Sequence, residues 1–335
     1  MAQDPLLQVQ DLHTQFERSD GPVYAVNGIS FSVSPGETLG IVGESGSGKS
    51  VTVLSVVGLI RGNGRVTGGT AKFMGTDLLK LRRRQLEDIR GRDIGMIFQD
   101  PMTSLNPTMR IGDQVMEGML SHHFTNRKGA FQRTLQLLDE VGIPDPKARF
   151  RDYPHEFSGG MRQRVMIAMA IACEPQLLIA DEPTTALDVT VQAQILALLH
   201  KLRESRHMSI ILITHDFGVA TNFCDRMIVM YGGKVMESAP LEAFLERPAH
   251  PYTIGLRRSV IEVGHQDRDL APIPGMAVAL SERPHSCPFA ARCLFAQDRC
   301  RQELPELRSF GQGHEVACHR AEEVWATGAR TAYAG

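Results

Sequence analysis

Tryptophan occurs once in this 335-residue chain, and aromatics of all kinds make up only 6% of it. Long apolar runs are missing too. The longest, Val165 to Cys173, has nine residues, against the roughly 20 that a helix needs to cross a bilayer. No membrane-spanning helix is therefore expected. Met1 to Asp11 lacks a basic segment followed by an apolar one, so no secretory signal is expected either, and the cytosol is the expected compartment. There the six cysteines would be reduced thiols or metal ligands rather than disulfides. The formal net charge is only −2, which gives no sign of a nucleic-acid or lipid-headgroup binder. Sustained heptads are absent, which argues against a long coiled coil. What remains, 42% hydrophobic and 22% charged residues, is ordinary globular composition. The length allows one large core and a smaller second unit.

Against that plain background one stretch stands out. Gly43, Glu44, Ser45, Gly46, Ser47, Gly48, Lys49 and Ser50 follow the apolar run Leu39–Val42, a buried strand on this reading. They precede a mostly apolar helix that starts at Val51 and runs to Ile60. The spacing Gly-x4-Gly-Lys-Ser between a strand and a helix is that of a P-loop. Its glycines let the backbone fold around a phosphate, and the helix N-terminus adds partial positive charge. Lys49 reaches the terminal phosphates and the Ser50 hydroxyl ligates magnesium. The chain is thus expected to bind a nucleoside triphosphate. Phe16 and Tyr24 lie shortly before the loop. They are either filler for a sheet or a stacking surface for a base, with Phe16 the first choice by position and Tyr24 the second.

Further along, Ile94–Phe98 reads as a buried strand ending at Gln99, after a turn-rich connection through Gly62, Gly64, Gly68 and Gly69 and a short strand near Thr70–Phe73. The cluster Arg82-Arg83-Arg84 reads as a solvated helix face. From Ile111 to about Arg151 the pattern turns helical, with a stripe of Phe131, Leu135, Leu138 and Val141. Phe157-Ser158-Gly159-Gly160 then runs into a second helix, where Ser158 can cap and free amides form another anion site. The apolar strand Leu177–Ala180 ends in Asp181 and Glu182. A strand-end aspartate beside a P-loop can hold magnesium, and the adjoining glutamate can orient water or take its proton. Asp188 opens the next helix, Val189–Glu204. His215 follows the strand Ser209–Thr214, at the strand end where α/β sheets bind ligands, which favours contact with a γ-phosphate.

P-loop, Gln99, S-G-G-M-R-Q-R, L-L-I-A-D-E-P, A-L-D and T-H-D in this order resemble the ATP-binding subunits of ABC transporters over roughly residues 6–250. The resemblance implies an α/β P-loop NTPase fold with a helical subdomain (about 100–165) in a nucleotide-binding domain, 1–255. A small cysteine-bearing C-terminal domain, 256–335, follows. It makes Gln99 a sensor of the γ-phosphate and magnesium that also contacts membrane subunits. Phe157, Ser158, Gly159 and Gly160 become the signature, Asp188 the D-loop residue and His215 the switch histidine. Catalysis would fall to Glu182, His215 and Gln99. Magnesium would fall to Ser50, Gln99 and Asp181. Phe157 and Met161 replace the Leu and Gln of many members, which leaves the Ser hydroxyl and Gly amides intact. In the family, the P-loop of one subunit and the signature of another sandwich each ATP.

The strings M-I-F-Q-D-P-M-T-S-L-N-P and A-D-E-P-T-T-A-L-D-V-T-V-Q-A-Q look like bacterial dipeptide and oligopeptide importers, as does a tail with His250-Pro251-Tyr252-Thr253 and Pro272-Ile273-Pro274-Gly275. That group implies a related second ATPase, two permease subunits, an extracytoplasmic binding protein, no nucleic acid, and a peripheral place on the cytoplasmic side of the inner membrane. Nickel or another small solute is an alternative cargo. A soluble ABC-type ATPase acting on nucleic acid or ribosomes is a more distant one. Four cysteines crowd the tail: Cys287, Cys293, Cys300 and Cys318. Thiolates suit zinc or an iron–sulfur cluster, and their gaps of five, six and 17 residues do not match short zinc knuckles. The importer tail implies a 4Fe–4S cluster, with zinc or unliganded thiols as alternatives and a structural clamp as its role.

Overall fold

The computed structural model describes residues 4–185, 187–258, 273, 275, 276, 278, 280–311 and 313–327. Ala186 of A-L-D, Pro272 and Pro274 lie outside the described residues, as do 259–272 and 328–335 of the expected C-terminal domain. The chain folds into two compact units that do not follow chain order. One comprises Met1–Val33, Thr38–Leu79 and Thr214–Gly335; the other comprises Ser34–Glu37 and Lys80–Ile213.

The strands are β1 (Leu7–Phe16), β2 (Val23–Val33), β3 (Thr38–Val42), β4 (Gly64–Phe73), β5 (Thr76–Asp77) and β6 (Ile94–Ile97). They continue with β7 (Leu177–Asp181), β8 (Ser209–Thr214), β9 (Arg226–Tyr231), β10 (Lys234–Pro240), β11 (Arg308–Gly311) and β12 (His314–Val316). In the first unit an antiparallel sheet has the order β2-β1-β4-β5. A second sheet there runs β11-β12-β10-β9-β3, in which only the β3–β9 pair is parallel. The second unit holds β8-β7-β6, all parallel. Every residue of β3, β7 and β8 is buried, as unbroken apolar runs covered on both faces require.

β4 is longer than the short strand near Thr70–Phe73 suggested by its glycines. It runs from Gly64, because β1 bulges at Asp11 (φ 48°) and Gly69 (φ 97°) passes against that bulge. A Cβ on Gly69 would lie 2.5 Å from the Asp11 carbonyl oxygen. Gly69, which looks like punctuation, is a close backbone approach inside a strand. Helices fill the segment after Gln99: Ile111–Ser121, Arg127–Glu140 and Pro146–Arg149. The expected stripe is rotated. Ala130, Thr134, Leu137, Leu138 and Val141 are buried, whereas Phe131 is 39% exposed and meets Phe150 edge-on. Helix Arg83–Ile89 buries nothing, as a solvated arginine face should. Among the described residues no helix is long and apolar enough to cross a membrane.

The C-terminal residues join the first unit through a buried carboxylate. Glu237 on β10 is fully buried and accepts hydrogen bonds from Ala249 N (2.7 Å) and His250 N (3.1 Å). Its Oε1 also meets His314 Nε2 at 2.8 Å, on β12. Around it Ala249, Val316 and Ala321 form an apolar cluster covered by Phe310 and Trp325. Substitution Glu237→Leu strips three groups of their acceptor and should cost about 3–5 kcal/mol, read as a lower urea midpoint. An unchanged midpoint would show that this carboxylate does not hold the tail.

Burial lowers the pKa of His250, next to this carboxylate, from its ordinary 6.5 to about 3. The folded imidazole therefore stays neutral while the unfolded one takes a proton. Its contribution to stability is full above pH 6.5 and falls away as the pH drops toward 3. The urea midpoint of wild type should decline over that window more steeply than that of His250→Asn.

Candidate functional site

The P-loop is set by two glycines with no room for a side chain. At Gly43 (φ 155°) a Cβ would sit 2.2 Å from the Met230 carbonyl oxygen, and at Gly48 (φ 99°) 2.4 Å from that of Ala25. Gly46 (φ 79°) has nothing within 4 Å of such an atom, and with Ser45 it forms the exposed tip. The first strand of the approach, β3, leads in from below, and helix Lys49–Val56, which includes Ser50 and the half-buried Val51, leads out. Lys49 is 4% exposed, and its Nζ donates to the carbonyls of Gly43 (2.8 Å) and Glu44 (2.9 Å). Gly233 N donates to Ser47 O at 3.0 Å, so the β9–β10 turn braces the loop from behind. The Ser47 hydroxyl is buried with no hydrogen-bond partner. An orphaned hydroxyl, a fixed ammonium and an open glycine tip are a donor set that fits a phosphate chain.

Both candidate base-stacking aromatics lie in the same unit. Phe16 packs its ring against Gly64, where a Cβ would come within 2.6 Å of it, so it belongs to the β1–β4 pairing. Tyr24 N donates to Leu280 O at 2.9 Å, and the Arg283 guanidinium lies 5.4 Å from the Tyr24 ring centroid. His215 is exposed, directly after β8, and Asp216 beside it caps helix Phe217–Phe223 by accepting from Val219 N at 3.1 Å.

In the second unit, β7 delivers two carboxylates to unlike surroundings. Asp181 is 6% exposed, while Glu182 is half-buried with φ 47°, a left-handed conformation uncommon for a side chain of its size. Its backbone N donates to Ile213 O at 2.9 Å, which fixes the turn. Gln99 Nε2 donates to Glu182 Oε2 at 2.9 Å, and Thr185 Oγ1 donates to the same oxygen at 2.9 Å. The fold thus brings together Gln99 and Glu182, which are 83 residues apart. Both donors hold the same carboxylate oxygen, so the Glu182 side chain is fixed from two sides. Thr185 carried no signal in the sequence.

Ser158 caps the 12-residue helix Gly159–Ala170, accepting from Met161 N at 3.3 Å. Ser158 and Gly159 are exposed, so the helix end is open; a Cβ on Gly160 would press on Val191 at 2.9 Å. Phe157 points the other way, 3% exposed, with the Arg149 guanidinium 5.9 Å from its ring centroid. Asp188 caps helix Val189–Arg206 by accepting from Val191 N at 2.9 Å.

The expected iron–sulfur cluster is not supported, and neither is its zinc alternative. Cys287, Cys293, Cys300 and Cys318 line one apolar pocket with Phe289, but its cavity is only about 10 Å³, room for about one water. Among the described residues no group of three or more His, Cys, Asp or Glu side chains could hold a metal ion. Burial pushes the Cys287 and Cys318 thiols up to about 12 and Cys293 to about 11. Four cysteines in a short tail look the same in sequence whether they ligate or pack.

Sequence reasoning also missed the residues behind the loop. Tyr252 Oη accepts from Glu44 N at 2.9 Å, and Arg292 binds the Glu44 carboxylate with both terminal nitrogens, at 2.6 and 3.0 Å. These partners lie 208 and 248 residues away in the chain, beyond the reach of any local pattern.

The family model described as "ABC transporter" matches residues 26–185, and that described as "Oligopeptide/dipeptide transporter, C-terminal region" matches residues 236–300. The chain is 49% identical over 318 residues to the oligopeptide transport ATP-binding protein OppD of Salmonella typhimurium, covering 95% of this chain and 94% of that protein. It is 48% identical over 314 residues to the dipeptide transport ATP-binding protein DppD of Escherichia coli, covering 94% and 96%. Among solved structures, the dimeric ATP-binding cassette MJ0796 bound to ADP and Pi matches with a TM-score of 0.64 and 27% identity, over 70% of this chain and 98% of that one. With its loop, its paired carboxylates and its capped signature helix, the chain belongs to the ABC transporter ATPases, in the group that carries the oligopeptide/dipeptide transporter C-terminal region.

Proposed function

We propose that this chain hydrolyses ATP to power the import of dipeptides or oligopeptides through partner permeases at the cytoplasmic face of the membrane. The observation that carries the reading is likeness to oligopeptide and dipeptide transport ATP-binding proteins over the tail as well as the nucleotide-binding part. Residues 1–255 are the nucleotide-binding domain, with a helical subdomain near 100–165, and residues 256–335 the appended C-terminal region. A related ATPase completes the pair, two permeases span the membrane, and an extracytoplasmic binding protein delivers the cargo.

Lys49, the Ser47 hydroxyl and the loop amides hold the β- and γ-phosphates, with Tyr24 or Phe16 beside the base. Ser50, Gln99 and Asp181 offer hard oxygen donors suited to magnesium, which neutralises phosphate charge when bound. Glu182, oriented by Gln99 and Thr185, takes a proton from the attacking water, and His215 contacts the γ-phosphate. The free amides of Ser158–Gly160, capped and open, are offered to the nucleotide of the paired ATPase, with Asp188 beside it. ATP thereby closes two chains on each other, and hydrolysis releases them.

The test is uptake of a labelled dipeptide into proteoliposomes that hold the complete transporter and binding protein. ATP-dependent uptake in wild type is expected. Glu182→Gln should keep nucleotide binding while cutting turnover and uptake by about 10²–10⁴-fold. Full turnover in that variant would remove Glu182 from the water-activating role. Turnover without peptide uptake, with uptake of nickel instead, would reassign the cargo.

A further inference from the structure

A carboxylate inside a triphosphate-binding loop is an electrostatic liability. Glu44 directly follows the first glycine of the loop, and its side chain is 27% exposed. A free anion there would repel the phosphates that the loop exists to hold. In this structure all three polar groups of Glu44 are committed. Its N–H donates to Tyr252 Oη, its carbonyl accepts from Lys49 Nζ, and its carboxylate takes both arms of Arg292. Two of these three partners come from the chain beyond residue 250.

Arg292 is itself held rigidly. Its side chain is 7% exposed, and it donates to Tyr231 Oη (3.2 Å) and Ile273 O (3.2 Å) besides Glu44. The guanidinium lies 5.6 Å from the Tyr231 ring centroid. Tyr231, Tyr252 and Phe289 pack mutually, with centroids 4.8, 5.3 and 5.1 Å apart, and all three are buried. Arg292 is thus a planar fork set in an aromatic wall and aimed at one carboxylate, an arrangement that a lysine cannot reproduce.

We propose that Arg292 is a positioning residue for ATP hydrolysis: it neutralises Glu44 and, through it, holds the loop and Lys49 in a shape that accepts the triphosphate. The C-terminal region is then part of the nucleotide site, reaching it from behind, and not only an appendage of the cassette. The inference rests on nucleotide binding at the loop and is independent of the cargo.

The test compares KM for ATP, kcat and affinity for a fluorescent ATP analogue in the complete transporter. Lys49→Ala, expected to lose nucleotide binding, checks that the loop is the site being read. Arg292→Met should raise KM by about tenfold or more, as an uncompensated anion near the phosphates demands, with kcat within about twofold. Arg292→Lys, which keeps the charge and loses the fork, should raise it by about threefold. Glu44→Gln combined with Arg292→Met should bring KM back to within about threefold of wild type, because the anion is gone. A purely structural arginine predicts no such rescue, so a KM as high in the double variant as in Arg292→Met overturns the proposal. Should Arg292→Met fail to fold, Arg292→Lys decides: a wild-type KM in that variant overturns it equally.

Discussion

At Gly43 and Gly48 the backbone of the P-loop passes so close to the carbonyls of Met230 and Ala25 that no side chain fits. This constraint fixes everything in front of the loop. With both glycines wedged against β9 and β2, the loop amides, the Lys49 ammonium and the Ser47 hydroxyl have one place to be. Donors fixed before an anion arrives are the ones that stabilise charge most effectively. The same wedging explains why the strands behind the loop matter to chemistry in front of it. The β9–β10 turn donates to Ser47 O, and Tyr231 at the end of β9 anchors Arg292.

The candidate functional residues are divided between the two compact units. The loop, both candidate stacking aromatics and His215 belong to one; Gln99, Asp181, Glu182, the signature helix end and Asp188 belong to the other. Within the second unit, Glu182 combines a left-handed backbone with two hydrogen bonds to one carboxylate oxygen. A strained glutamate held in this way is a group kept in position at some cost in stability, as catalytic groups often are.

Much of this was legible in the sequence. The loop, the strand-end carboxylates, the serine before the signature helix and the aspartate before the next one announce themselves by local spacing, because strand, turn and cap chemistry act over a few residues. Where several weak motifs followed one another in fixed order, the family could be read as well. Long-range pairing was not legible. Glu44 and Arg292, or Glu237 and His314, meet only after the chain has folded. Phe131 misled because a helix stripe one position off still looks amphipathic, and the burial of Ala130 and Thr134 decides which face is inside. Gly69 reads as part of a turn although it serves a strand, since a glycine demanded by close backbone approach looks like any other. The tail cysteines misled most. Their count and their likeness to an importer tail suggested ligation, yet the folded thiols are desolvated and enclose almost no space.

We propose that each ATP is gripped by two chains, with the loop of one and the signature helix end of the other. This is tested most directly with an ATP analogue carrying a photoreactive group on its γ-phosphate, bound to the complete transporter and mapped by peptide mass spectrometry. With Lys49→Ala placed in this chain alone, labelling of its own loop should vanish while labelling of the segment Ser158–Arg162 persists, because the partner's loop supplies that nucleotide. If the single substitution abolishes both labels, one chain holds its ATP by itself and the account is contradicted.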